Sequence, residues 1–119
     1  MILKKVYYLA TCETCTRILK QLNLPESFEQ REIKSNPLSE DELEHLYTLA
    51  GSYEALFNKR ARLYRERGLS KEDITEPRYR ELLMDHYTFL KRPVLVVDDQ
   101  IFTGNSKKTV SAAQQAITS

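Results

Sequence analysis

Cys12 and Cys15 are the only cysteines in this chain of 119 residues, and their spacing puts them one turn apart on a helix. The segment before them, Ile2-Leu3-Lys4-Lys5-Val6-Tyr7-Tyr8-Leu9, is rich in β-formers, whereas Cys15, Ile18, Leu19 and Leu22 recur at helical spacing. The pair therefore falls where a strand becomes a helix. A thiol at a helix N-terminus meets unpaired backbone N–H groups and the positive end of the macrodipole. Both favour the thiolate, which is the attacking species. Cys12 reads as the exposed nucleophile and Cys15, one turn in, as the resolving thiol. Attack by Cys15 on a Cys12 adduct would close a disulfide and expel the leaving group. Two other readings stand beside this one: a pair of buried structural thiols, or half of a zinc site. Zinc takes four ligands, and the other candidates of the usual kind are His45 and His86, far apart on predicted helices. No metal is expected.

Arg92-Pro93 is the second constellation. Its plain reading is a surface arginine before a strand-opening proline. Its functional reading needs a cis proline, which holds a backbone edge opposite the nucleophile and lets Arg92 project near Cys12. There the guanidinium would lower the thiol pKa and offer a bidentate fork to an oxyanion. The third is the run from Lys59 to Arg67, with Arg60, Arg62, Arg65 and Arg67 among its residues. Most such runs are solvated helix faces. The sharper reading hangs one or two of these arginines over the Cys12 pocket. Glu13, between the thiols, opposes thiolate formation but is screened when exposed.

Other elements must position these groups. Phe28–Ile33 reads as a second, weaker strand. Ser39 and Glu42 form a capping box for a helix with Leu43, Leu46, Tyr47, Leu49 and Ala50 as its stripe, stopped by Gly51. From Tyr53 to His86 the pattern is helical with interruptions. Its last helix starts near Thr75, accepts Pro77 in its first turn, and carries Tyr79, Leu82, Leu83, His86 and Tyr87. Val94–Val97 is a continuous β-branched and apolar run suited to a strand buried on both faces. Asp98-Asp99 turns it into a hairpin partner at Ile101-Phe102. Gly104-Asn105 ends that strand, and Ser106 caps a final helix using Val110, Ala113 and Ile117. Tyr7 and Tyr8 alternate across the first strand, so one packs inward. His45 reads as a surface residue and His86 as a packed one.

The order is β-α-β, a helical block, then β-β-α. This predicts a single α/β domain with a thioredoxin-like core, interrupted by an all-helical insertion over about residues 38–90. At 41% hydrophobic and 29% charged, the chain has enough apolar residues for one core. With 18 Lys+Arg against 17 Asp+Glu, its formal charge of +1 gives no global case for a polyanion binder. No apolar run approaches a membrane span, and the N-terminus lacks the order of a signal peptide. Two cysteines cannot build a disulfide-dense secreted scaffold. A cytoplasmic, monomeric protein without membrane contact is expected.

Thr11-Cys12-Glu13-Thr14-Cys15-Thr16-Arg17, Leu56-Phe57-Asn58-Lys59-Arg60 and Lys91-Arg92-Pro93-Val94-Leu95-Val96 together resemble the ArsC/Spx family over nearly the whole chain. That resemblance implies an arsenate reductase-like thiol oxidoreductase. The cysteine matching Cys12 attacks arsenate, Arg92 binds the oxyanion beside a cis Pro93, and Thr11, Thr14 and Arg60 contribute to substrate binding. No cofactor is bound. Glutathione with glutaredoxin, or thioredoxin, supplies electrons for arsenate or a glutathione or thiol adduct. The family also contains Spx regulators, which implies an alternative: a redox switch that docks on RNA polymerase. Four positions depart from the arsenate reductase pattern. Cys15 replaces a small non-thiol residue, which suggests internal resolution. Asn58 stands nearest the insert arginine, with Arg60 two residues later. Tyr8 replaces a histidine, and Phe102-Thr103-Gly104-Asn105 lacks a further arginine.

Overall fold

The computed structural model describes residues 4–118. The chain divides into two compact units, one of Met1–Pro37 with Arg92–Ser119 and one of Leu38–Lys91.

The first unit is built on a four-stranded sheet with strand order β2-β1-β3-β4. Strand β1 (Lys4–Tyr8) leads into helix α1 (Glu13–Leu22), which returns to β2 (Glu29–Glu32). The predicted start of β1 at Ile2 and Leu3 lies outside the described residues. Strands β1 and β2 are parallel, with Tyr8 opposite Glu32. Strand β3 (Val94–Val97) runs antiparallel to β1, from Lys4 opposite Val97 to Tyr7 opposite Val94. Strand β4 (Gln100–Thr103) closes the hairpin with β3 and is two residues longer than Ile101-Phe102. Asp98 takes the left-handed conformation at the turn (φ 58°).

The continuous apolar run at Val94–Val97 is buried at every position, as a central strand covered on both faces requires. In β1 both Val6 and Tyr7 are buried while Tyr8 is half-buried, so Tyr7 is the inward-packing tyrosine. Val6, Leu95 and Val97 meet Ile18 and Leu22 of α1, Phe28, and Val110 of the last helix, α5 (Lys107–Thr118). Leu19 and Ile117 pack at the margin of this cluster. Each fully buried aliphatic side chain contributes roughly 1.5–3 kcal/mol. Ser106 caps α5 through its Oγ, which accepts the Thr109 N–H at 3.1 Å.

The second unit holds the helical insertion. Helix α2 (Glu40–Ala50) starts on the predicted capping box. The Ser39 Oγ accepts the Glu42 N–H at 3.1 Å, and Glu42 accepts the Ser39 N–H at 3.0 Å. Gly51 ends it at φ 90°. Leu43 and Leu46 are buried, whereas Tyr47, Leu49 and Ala50 are only partly so. A 3₁₀ turn (Glu54–Leu56), helix α3 (Arg62–Glu66), a second 3₁₀ turn (Leu69–Lys71) and helix α4 (Glu76–Asp85) follow. Helix α4 stops before His86, so His86 and Tyr87 are not on its face. His86 is extended (φ −151°), and its Nδ1 accepts the Thr88 N–H at 3.1 Å at the start of a third 3₁₀ turn. That bond draws the chain out of the helix. Phe57 anchors the unit, stacked on Phe89 with ring centroids 5.2 Å apart and tilted against Tyr79 at 4.9 Å. An antiparallel bridge between Phe57 and Leu90 ties the residue after the first 3₁₀ turn to the C-terminal end of the insertion.

Candidate active site

The site lies at the C-terminal end of β1. After Tyr8 the chain turns through buried Leu9 and exposed Ala10 and Thr11 into Cys12, whose N–H donates to the Leu9 carbonyl at 3.1 Å. Cys12 is the N-cap of α1, with extended backbone (φ −93°, ψ 108°) and no side-chain cap bond. Its carbonyl takes the first helical bond, from the Thr16 N–H at 3.1 Å. The first-turn N–H groups of any α-helix lack intrahelical acceptors, and here they lie beside the Cys12 side chain's own turn. Thr14 is half-buried in that turn.

Both cysteines are free thiols, and they differ in access: Cys12 is half-buried, whereas Cys15 has 0% exposure. Burial pushes the Cys15 thiol above its ordinary value. A backbone hydrogen bond from Leu9 works against burial, as does the positive charge of Arg92, while the charges of Cys12 and Glu32 add to it. Cys12, Arg92 and Glu32 therefore all act on one buried sulfur.

The Arg92-Pro93 peptide is cis. The antiparallel β1–β3 ladder ends with Tyr7 opposite Val94, so the N-terminal end of β3 adjoins the C-terminal end of β1. Arg92-Pro93 thus borders the loop that carries the thiols. Pro93 is buried and its carbonyl accepts the Gly104 N–H at 3.0 Å. Arg92 is half-buried, with its Nε out of contact with solvent.

Arg60 belongs to the second unit. It is exposed, and its N–H donates to the Asn58 Oδ1 at 3.0 Å in the turn before α3. The basic run takes the form of a solvated face: Lys59 pairs with Glu54 at 2.7 Å, Arg67 pairs with Asp85 at 2.6 Å, and α3 buries none of its residues. His45 is exposed and His86 stacks on Tyr87 at 4.5 Å. Among the described residues, no three His, Cys, Asp or Glu side chains are grouped to hold a metal ion.

Sequence reasoning missed Glu32. Its Oε2 accepts the Ala10 N–H at 2.9 Å, while its Oε1 accepts the Ser35 N–H at 2.7 Å and the Ser35 hydroxyl at 3.0 Å. These bonds, that from Ala10 first, hold the carboxyl below the usual glutamate range. In the sequence Glu32 sits in a charged strand 22 residues from Ala10, and no local pattern marks it. The one legible signal is its position at the end of a strand parallel to β1.

With the thiol pair at the head of α1 and the cis Arg92-Pro93 beside it, the architecture is a thioredoxin-like fold. The ArsC family model matches residues 7–113, and the chain belongs to the ArsC family. Solved structures share the fold, among them the following three. An arsenate reductase from Vibrio cholerae is 21% identical, with a TM-score of 0.72, covering 93% of this chain and 97% of its own. A Bacteroides fragilis protein described as ArsC family related is 23% identical with a TM-score of 0.75, covering 92% and 95%. An arsenate reductase (ArsC) related protein from Brucella melitensis is 19% identical with a TM-score of 0.70, covering 92% of each chain. At these identities the likeness is one of fold. No curated protein matches the chain in sequence. Among the described residues, no helix is long and apolar enough to cross a membrane.

Proposed function

We propose that the protein is a cytoplasmic thiol–disulfide oxidoreductase of the arsenate reductase type, with Cys12 as nucleophile and Cys15 as resolving thiol. The observation that carries this reading is the difference in access between the two sulfurs, one at the uncapped head of α1 and the other wholly enclosed one turn later. Its substrate is arsenate or a mixed disulfide with glutathione. For the disulfide, the Cys12 thiolate attacks the glutathione sulfur, forms a Cys12–glutathione disulfide and releases the substrate as a thiolate. The Cys15 thiol then gives up its proton and attacks the Cys12 sulfur. That step forms the Cys12–Cys15 disulfide and expels glutathione thiolate, so the protein dithiol supplies both electrons. Glutaredoxin, thioredoxin or glutathione restores the dithiol. Arg92 stabilises the developing negative charge, and Thr11, Thr14 and Pro93 contribute to substrate binding.

The test offers arsenate and a glutathionylated peptide separately, with glutathione, glutaredoxin and a reductase regenerating the dithiol. Cys12→Ser should lose turnover of the accepted substrate, and Cys15→Ser, given the glutathionylated peptide without the regenerating system, should retain a Cys12–glutathione adduct detectable by intact mass. Undiminished turnover by Cys12→Ser would reject the mechanism. Retention of the oxidised protein on purified RNA polymerase, with neither substrate consumed, would favour the Spx-like regulator instead.

A further inference from the structure

We infer that Glu32 is a positioning residue for the nucleophile, its carboxylate fixing the Leu9–Cys12 loop through Ala10. The inference rests on the thiol chemistry proposed for Cys12. Between the end of β1 and the start of α1, Ala10 and Thr11 are exposed, and an exposed loop keeps one shape only where its backbone is tied down. The Cys12 N–H bond to the Leu9 carbonyl is internal to the loop, whereas the Ala10 N–H reaches out to Glu32. Glu32 is suited to that task because its own geometry is fixed from both sides. One oxygen is held by the Ser35 N–H and hydroxyl, and its carbonyl accepts the Asn36 N–H at 3.1 Å. The parallel register, Tyr8 opposite Glu32, brings the carboxylate to the level at which the loop leaves the sheet. Hydrogen bonds from N–H groups to an ionised carboxylate are among the stronger ones available to a loop. Two residues beyond Ala10 stands Cys12, the N-cap of α1, whose backbone placement follows from this turn. A residue serving only to close the Glu32–Asn36 turn would use the Ser35 contacts and leave Ala10 alone.

Two variants that remove the same charge separate positioning from electrostatics. In a Cys15→Ser background, the rate of Cys12 alkylation by iodoacetamide is measured for the parent, Glu32→Gln and Glu32→Ala. Glutamine keeps the shape and one acceptor oxygen, whereas alanine keeps neither. Positioning predicts graded slowing, to about one-tenth of the parent rate in Glu32→Ala with Glu32→Gln between. It also predicts Ala10 amide exchange faster by about tenfold or more in Glu32→Ala, as loss of one charge-assisted bond implies. Equal acceleration in both variants, or rates and Ala10 exchange unchanged in both, would overturn the proposal. Should Glu32→Ala fail to fold, Glu32→Gln decides it: slower alkylation with faster Ala10 exchange supports positioning, and no change in either refutes it. A parent Cys12 that alkylates no faster than glutathione would sink the thiol reading instead, while Ala10 exchange would still report on Glu32.

Discussion

Gly104 donates its N–H to the Pro93 carbonyl at 3.0 Å, tying the residue that follows β4 to the one that opens β3. The bond extends the β3–β4 ladder one step beyond the Val94–Thr103 pair, towards the loop that bears the thiols. Gly104 adopts a left-handed backbone there (φ 90°). A Cβ at this position meets nothing within 4 Å, so Gly104→Ala faces a conformational cost and no clash. The substitution should destabilise the protein by about 1–2 kcal/mol. Urea unfolding of the variant checks the value, and a loss below a few tenths of a kcal/mol would contradict it.

Phe57 is 1% exposed and meets three other rings: Phe89, Tyr79 and Tyr64. Truncation would leave a cavity that the stacked aromatics cannot close by small shifts. Phe57→Ala should cost about 3–5 kcal/mol. Hydrogen exchange should locate the loss in Leu38–Lys91, with α2 and α4 amides losing protection. Uniform loss across both units would contradict this placement.

The pH dependence of resolution follows from Cys15. Burial lifts its thiol above the ordinary value, so little thiolate exists at neutral pH. Closure of the Cys12–Cys15 disulfide from a preformed Cys12–glutathione adduct should therefore accelerate through the ordinary thiol range near ~8.5 without levelling there. Rapid-quench measurements against pH test this, and a plateau at or below that range would contradict it. The same shift bears on stability with a definite sign. A raised folded-state value contributes fully below the unfolded thiol pKa, and that contribution is lost as pH climbs through the folded one.

How far the sequence carries the reading depends on whether a feature is local. The Ser39–Glu42 box, the Val94–Val97 run and the Ser106 cap are written in adjacent residues, and each stands where the pattern places it. The Arg92-Pro93 segment was legible as a candidate because the apolar run after it announces a strand. Its cis geometry is a tertiary fact that two residues cannot dictate. Helix α4 ends earlier than its apolar spacing suggests because the His86 ring bonds to the Thr88 backbone, a competition invisible to periodicity. Glu32 is harder still. Its role comes from strand register and a bond spanning 22 residues, so nothing within a short window distinguishes it from Glu29.

The pairing of β1 with β3 has a consequence for synthesis. Lys4 lies opposite Val97, so β1 has no neighbour on that side until Val94–Val97 has been synthesised. Val6 and Tyr7 must wait in water meanwhile, with only the β2 side available to shelter them. Pairing across so long a stretch of chain is expected to form late and slowly.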